Sequence, residues 1–487
     1  MRVGESHIHT AIINSLPDDV LLEIFGFYQK TQDLYGFHPV WLRLAHICSR
    51  WRRIIFSSPH RLNLQLLCTY GTPVKNNLGH WPPIPLIIDY TDTSADDSKR
   101  LTPCDEENVV AALENSARVR YVSIYVTSSL LGKIATAMQN PFPALTHLWL
   151  SSKDGHVSTF PNKFLGGSAS ALRAAYLEGI QIPALPKLLS SALGLVELRL
   201  LDIPHDDYIS PETMVTSLAA LTRLKTLVIE FKSPTPLSET RRQDHKMRTG
   251  LPSLTTFGFH GVKEYLEDLV DQIDTPQLDH LSISCFNQLD FQVPRLSEFL
   301  ARAHNLYMAR FTCARVEFDV RNVHVRLYER DKLPESHFKF SLRISCRGLD
   351  WQVSHVAQIL NQCSAILSNV GGLSIDARDL PPGGKDYKDA MEWLELLRPF
   401  TAVETLHVSG KSASHVAHGL EYVTEEMVPV VLPALHSLCL QDEPLTSVER
   451  FVEARWLTGR AITIADAPAA FFERLESLWS WKEYLSN

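Results

Sequence analysis

A short apolar phrase, L-x-x-L-x-L with close variants, recurs through most of this sequence. Side chains alternate between the two faces of a β-strand, so the second and third apolar positions of the phrase share one buried face. The residue between them then points to the opposite face. The phrase begins at Val119, Leu145, Leu172, Leu195, Leu224, Leu254, Leu278, Leu306, Val370, Val403 and Leu435.

The spacing of the copies predicts a repeat architecture. Successive copies begin 23 to 33 residues apart, except for a gap of 64 residues between Leu306 and Val370. Stretches such as 212–221 and 262–273 carry apolar residues at helical spacing between the phrases. This period and pattern resemble degenerate leucine-rich repeats, as in large eukaryotic adaptor proteins. The expected fold class is α/β, an irregular leucine-rich-repeat solenoid with a parallel sheet on its concave side and helices on its convex side. A conventional α/β domain, whose parallel strands also alternate with helices, is the alternative.

Two parts of the chain are less regular. Inside the long gap, residues 315–332 and 338–346 alternate like strands, which indicates either a hairpin or two distorted repeats, and residues 351–367 indicate a helix. Near the C-terminus, residues 467–485 form an aromatic amphipathic pattern. We expect a helix there that either caps the last repeat or docks a partner.

The N-terminal residues predict helices with too much apolar surface. Pro17, Asp18 and Asp19 suit a first helical turn, and apolar residues then recur at spacings of three and four along residues 20–28. A second apolar face runs along residues 41–55. About 45 residues are too few for an independent core, so the repeats or another protein must cover this surface.

The same residues resemble the F-box family. That family opens on Leu-Pro-x-acidic, matched here by Leu16, Pro17 and Asp19, and closes on a phrase matched by residues 47–52, "ICSRWR". The link between the two phrases, residues 28–41, is longer and more aromatic than usual. With the repeats that follow, the chain is similar to F-box proteins that are abundant in mushroom-forming fungi. The resemblance divides the chain into an extension (1–11), an F-box (12–58), a linker with first irregular repeats (59–110) and a solenoid with a C-terminal capping helix (111–487).

The resemblance implies a function. In that family the F-box docks onto the S-phase-kinase-associated adaptor, which leads to a cullin scaffold and a RING subunit, and the remaining chain holds a protein substrate for ubiquitin transfer. The chain would then be a non-catalytic substrate-recognition subunit of an SCF-type E3 ubiquitin ligase. The alternative is a leucine-rich-repeat scaffold or binding protein without a ubiquitin role, with the N-terminal helices as its cap. The expected adaptor-binding residues are Leu16, Pro17, Val20, Leu21, Ile24, Phe25, Leu44, Ile47, Cys48, Trp51 and Ile55.

Substrate would meet the exposed positions of the repeat strands. Aromatic residues and arginine are enriched where proteins bind one another. The candidate substrate-binding residues are therefore Trp149, Tyr176, Arg199, Arg310 and His407.

Other classes of function find little support. A net charge of −8 argues against a general nucleic-acid binder, and no apolar run reaches membrane-spanning length. Eight scattered cysteines without a C-x-x-C pair predict reduced thiols, no zinc site and a location in cytosol or nucleus. Gly410, Lys411 and Ser412 lack the earlier glycine of a phosphate-binding loop, and His415 and His418 lack a third metal ligand. We therefore expect no cofactor, no metal and no catalytic residue, and an enzyme with a divergent α/β core is the weakest alternative.

Overall fold

The protein has a mixed α/β fold that divides into two compact units, Met1–Leu195 and Val196–Asn487. A computed structural model describes residues 13, 15–32, 40–79, 83–91, 101–204, 209–234, 248–286, 291–309, 311–329, 338–346, 349–377, 387–410, 412–425, 431–441 and 447–464. The predicted N-terminal extension (1–11), the predicted C-terminal helix (467–485) and Arg310 lie outside these residues. Within them, no helix combines the length and apolar character needed to span a bilayer.

The first unit starts with helices and continues into a parallel sheet. Its helices are α1 (Asp18–Gln32), α2 (Val40–Ala45), α3 (Ser49–Ser57), α4 (Val74–Asn77), α5 (Pro103–Glu114), α6 (Ser128–Ala137) and α7 (Leu185–Ser191). Its strands are β1 (Leu66–Cys68), β2 (Leu86–Tyr90), β3 (Val119–Val126), β4 (His147–Ser152), β5 (Ser158–Thr159), β6 (Ala174–Glu178) and β7 (Ile180–Gln181). The sheet order is β1-β2-β3-β4-β6 with every pair parallel, and β5 pairs separately with β7.

The second unit repeats the alternation over a longer stretch. Its helices are α8 (Pro211–Leu218), α9 (Lys263–Gln272), α10 (Pro294–Arg302), α11 (His304–Met308), α12 (Leu349–Gln362), α13 (Ser364–Leu367), α14 (Tyr387–Leu397), α15 (Ser412–Glu425) and α16 (Glu449–Leu457). Its strands are β8 (Glu197–Ile203), β9 (Thr226–Phe231), β10 (Thr249–Gly250), β11 (Thr256–Gly261), β12 (Ile273–Asp274), β13 (His280–Cys285), β14 (Cys313–Phe318), β15 (Asn322–Tyr328), β16 (Phe340–Ser345), β17 (Gly372–Ala377), β18 (Thr405–Gly410), β19 (Ser437–Leu440) and β20 (Thr463–Ile464). The order within this unit's sheet is β8-β9-β11-β13-β16-β15-β14-β17-β18-β19-β20.

The apolar phrase forms the strands and supplies their buried side. Leu227 and Ile229 of β9 and Phe257 and Phe259 of β11 are all at most 2% exposed, as the alternation requires. Their neighbours in sequence lie on the other face, which is polar over most of its length. The strand phrase thus predicts correctly which side chains enter the core.

The long gap in the repeat pattern contains the one reversed strand among the described pairs of this sheet. β15 runs antiparallel to both β14 and β16, while β14 pairs parallel with β17 and β16 pairs parallel with β13. The hairpin expected from the alternating residues is therefore present. It changes the strand order, because β16 and not β14 lies next to β13.

The repeat predicted at Leu306 is wrong. Leu306 is buried, but it lies in the short helix α11, and the next strand begins at Cys313. Both edges of β13 are already occupied, one by β11 and the other by β16. No edge of β13 is left for Leu306 to pair with, and His304–Met308 form the short helix α11 instead.

Candidate docking surfaces

The start of α1 is held by an arginine from α3. The Nη2 of Arg50 donates to the carbonyl oxygen of Leu16 and to the Oδ1 of Asp18, both at 2.6 Å. The ion pair is partly exposed, with 30% of the Arg50 side chain and 55% of the Asp18 side chain accessible, so its contribution to stability is below about 1 kcal/mol. Its main effect is to fix the opening Leu-Pro phrase against the closing phrase.

The closing phrase builds the start of α3. Cys48 is the N-cap residue, with extended backbone angles, and its Sγ accepts a hydrogen bond from the Trp51 backbone N–H at 3.5 Å. The Trp51 ring packs on Phe25 of α1 with ring centroids 4.7 Å apart. Cys48 and Trp51, both half-buried, therefore hold α3 in place against α1.

The apolar residues of these helices are divided between a buried face and an exposed face. Leu21 and Phe25 are each 1% exposed, and Leu44 and Ile55 are also buried. An α-helix turns by about 100° per residue, so Leu21 and Phe25 point away from Val20 and Ile24 and into the chain's own interior. These four predicted adaptor contacts therefore lie in the interior and not on the surface of the domain.

An uncovered apolar surface is nevertheless present on the N-terminal helices. On α1, Val20 (42% exposed), Ile24 (47%), Phe27 (69%) and Tyr28 (38%) recur at the spacing of one helix face, and Ile47 (59%) is exposed just before α3. We call these five residues the docking stripe. Phe27 was not among the predicted contacts, although its spacing of three from Ile24 and seven from Val20 is the signal that identifies it.

Two predicted substrate-binding residues of the first unit lie together. Trp149 of β4 and Tyr176 of β6 are register partners, and their rings stack at 4.2 Å with an interplanar angle of 30°. The Tyr176 hydroxyl donates to the Glu178 carboxylate at 3.2 Å, and Trp149 is 43% exposed. They form an aromatic platform with a polar edge.

The predicted substrate-binding residues of the second unit do not form one site. Arg199 lies on β8 and pairs with Glu197 at 2.6 Å, whereas His407 lies on β18. Seven strands separate β8 from β18, which corresponds to roughly 38 Å along the sheet at about 4.8 Å per strand. Any joint role of Arg199 and His407 would need an extended partner.

Metal binding by the two histidines of α15 finds no support. The ring of His415 stacks on Trp393 of α14 with centroids 6.2 Å apart, which gives it a packing role. Among the residues that the structure describes, no group of three or more His, Cys, Asp or Glu side chains is arranged to hold a metal ion.

Comparison with known proteins identifies the N-terminal helices. Residues 13–62 match the family model described as F-box-like, close to the 12–58 expected from the two phrases. No curated protein matches the chain. F-box domains in general bind S-phase-kinase-associated adaptors within SCF-type complexes, and proteins that carry them are generally non-catalytic receptors. The helices α1 to α3 therefore belong to an F-box-like domain, which this chain carries at residues 13–62.

Proposed function

We propose that this chain is the substrate-recognition subunit of an SCF-type ubiquitin ligase. Its F-box would dock onto the S-phase-kinase-associated adaptor and through it reach a cullin scaffold. The observation that carries the proposal is the coincidence of the F-box-like match, residues 13–62, with the uncovered docking stripe. Four of its five residues lie on one face of α1, and exposed apolar surface gathered in this way is typical of a protein-binding site.

The docking stripe is suited to burial by another protein. Covering an apolar side chain completely contributes roughly 2 kcal/mol, and Phe27, Ile24 and Ile47 have 69%, 47% and 59% of their surface still to cover. Complete coverage of each of these side chains by a partner would therefore contribute about 1 kcal/mol to binding. The buried residues Leu21 and Phe25 contribute indirectly by keeping the stripe in one rigid orientation.

We further infer that the strands after the F-box are degenerate leucine-rich repeats of a solenoid and that their polar sheet face receives a protein substrate. The parallel strands, with their apolar phrase at intervals of 23 to 33 residues, support this interpretation. Trp149 and Tyr176 are the leading contacts in the first unit, because a stacked aromatic pair offers large area with little loss of side-chain entropy. Free cysteines favour a reducing location, cytosol or nucleus.

Reconstitution tests the proposal. The full chain is mixed with recombinant adaptor, cullin and RING subunit, and complex formation is followed by size-exclusion chromatography with light scattering. We expect a stoichiometric complex that transfers ubiquitin to proteins captured by the chain. Failure to bind the adaptor, with the repeats folded, would instead favour the scaffold without a ubiquitin role.

Substrate capture is tested separately from adaptor binding. The double variant Trp149→Ala with Tyr176→Ala should reduce capture while adaptor binding stays as in the wild type. Unchanged capture by this variant would remove the aromatic platform from the substrate surface and leave the F-box assignment untouched.

A further inference from the structure

The polar face of the second unit's sheet contains a pocket of about 660 Å³. Its floor is made of small side chains at one register level: Gly258 of β11 pairs with Ser282 of β13, which pairs with Ser341 of β16. Ser284 lies two residues further along β13 and pairs with Arg343 of β16. Larger residues on the neighbouring strands form the walls, so the pocket results from a run of small residues across adjacent strands.

Gly258 keeps this floor open. A Cβ at this position would lie 3.2 Å from both methyl groups of Val228, closer than ordinary van der Waals contact. A larger residue would therefore push against β9 and fill the pocket. A glycine is required here because the space above the strand is limited, and not because the backbone adopts an unusual angle.

One cation in the pocket has no carboxylate partner among the residues that the structure describes. Arg199 and Arg326 also line the pocket, but each pairs with its own glutamate, Glu197 at 2.6 Å and Glu317 at 2.5 Å. Arg343 is exposed, and its Nε donates only to the amide oxygen of Asn322, at 3.2 Å. Over the described part of the chain, no carboxylate lies within 4 Å of the Arg343 guanidinium.

Neutral histidines flank this arginine. His324 is the register partner of Arg343, and His260 lies on the other side, across Ser284. Burial first, and then the positive charge of Arg343, lower the pKa of both rings. Neutral rings can each donate one hydrogen bond and leave Arg343 as the charge that an incoming anion would meet.

The tautomer of His324 follows from its neighbour. A guanidinium only donates, so the Nη2 of Arg326, 3.1 Å away, must donate to the Nδ1 of His324. The neutral ring then carries its proton on Nε2, which is buried and has no hydrogen-bond partner among the described residues. His324 therefore carries a buried donor for which the described residues supply no acceptor.

We propose that this pocket binds a carboxylate of an acidic peptide segment, with Arg343 as the cation that pairs with it and the hydroxyls of Ser284 and Ser341 as further donors. Arginine forms forked, charge-assisted hydrogen bonds with carboxylates. A single unpaired guanidinium matches a charge of −1. A phosphate group carries about −1.5 to −2, more negative charge than this one guanidinium can balance. The volume, of the order that binds whole ligands, leaves room for residues on either side of the acid.

This proposal names the chemistry of the substrate and so rests on the proposed receptor function. The probes are three pentapeptides, each N-acetylated and C-amidated, with the sequence Gly-Ala-X-Ala-Gly, where X is glutamate, glutamine or phosphoserine. The full chain is labelled with carbon-13 at histidine Cε1, and the resonances of His260 and His324 are followed by NMR during each titration. Adaptor binding by the same preparation is measured in parallel.

We expect the glutamate peptide to shift both resonances in a saturable manner and the glutamine peptide to leave them unchanged. Arg343→Gln should weaken binding at least about tenfold, the size of effect that a lost charge-assisted hydrogen bond produces. The matched control is Arg398→Gln, which removes the same charge from an exposed arginine that follows α14 and does not line the pocket.

Three results would overturn the proposal: no saturable shift with the glutamate peptide, equal binding of the glutamine peptide, or unchanged binding by Arg343→Gln. Tighter binding of the phosphoserine peptide by tenfold or more would overturn the choice of a carboxylate. If adaptor binding is retained when the peptide fails, only the pocket assignment is lost. If the peptide binds and the adaptor does not, only the ligase assignment is lost.

Discussion

Replacement of Ile47 by aspartate is the sharpest test of the docking stripe. Ile47 is 59% exposed, so its substitution leaves the interior of the first unit unchanged, while complete coverage by the adaptor would contribute about 1 kcal/mol of transfer free energy. The substitution also places an unpaired charge in the covered interface, at a cost of about 2 kcal/mol or more. Together these effects weaken adaptor binding by about 3 kcal/mol, or roughly 150-fold.

The matched control for Ile47→Asp is Leu193→Asp. Leu193 follows α7, belongs to the same unit and is also 59% exposed, but it lies outside the F-box-like residues. Dissociation constants for the recombinant adaptor are measured by biolayer interferometry, with circular dichroism to compare melting temperatures. We expect Leu193→Asp to bind as the wild type does. Equal affinities of the two variants, with both folded, would refute the reasoning that the stripe is the docking surface.

Three further predictions concern local electrostatics and capping. Cys48→Ala should speed hydrogen exchange of the first amides of α3 by removing the N-cap acceptor, at about 0.5 kcal/mol or more, whereas Cys48→Ser keeps an acceptor and should not. Burial raises the pKa of Glu267, whose carboxylate accepts hydrogen bonds from the first turn of α10, so ionising it costs more in the folded than in the unfolded chain. The free energy of unfolding of the wild type should therefore fall relative to that of Glu267→Gln as pH rises from 4.5, the ordinary pKa of a glutamate, through the raised pKa of Glu267. Urea unfolding at a series of pH values measures this difference, which would not change with pH if Glu267 were solvated. Arg343→Gln should raise the pKa of His260 and His324 towards the ordinary value, because a positive charge that opposes their protonation is lost; NMR titration would contradict the arrangement if both stayed unchanged.

The parts of the fold that follow from local pattern could be predicted from the sequence. The alternation of Leu148 with Leu150, or of Leu227 with Ile229, fixes a buried face without knowledge of any neighbour. The opening and closing F-box phrases are likewise local, and the match to residues 13–62 agrees with them. Leu306 shows the limit of such arguments: its phrase fits the pattern, but β16 occupies the strand position beside β13.

The two candidate surfaces depend on information that is not local. The split of the α1 side chains into a buried and an exposed face requires the position of α3, which Arg50 and the Trp51 ring set. The pocket requires the register of β11, β13, β16 and β15, which brings Gly258 and Arg343 to one place. Arg343 lies in the stretch where the repeat pattern is interrupted, so the apolar phrase does not mark its position.

The reversed strand β15 also affects the order in which the sheet can assemble. β11 and β13 join residues about 24 positions apart, such as Thr256 and His280, whereas β13 and β16 join Leu281 with Phe340, about 59 positions later. Loop closure over the longer stretch costs about 0.8 kcal/mol more. A chain emerging from the ribosome cannot extend the sheet beyond β13 when β14 appears and must wait until β16 has been made. Growth should therefore pause at this point and then gain three strands together, which makes the β13 edge the place where a partly synthesised chain is most exposed to wrong pairing.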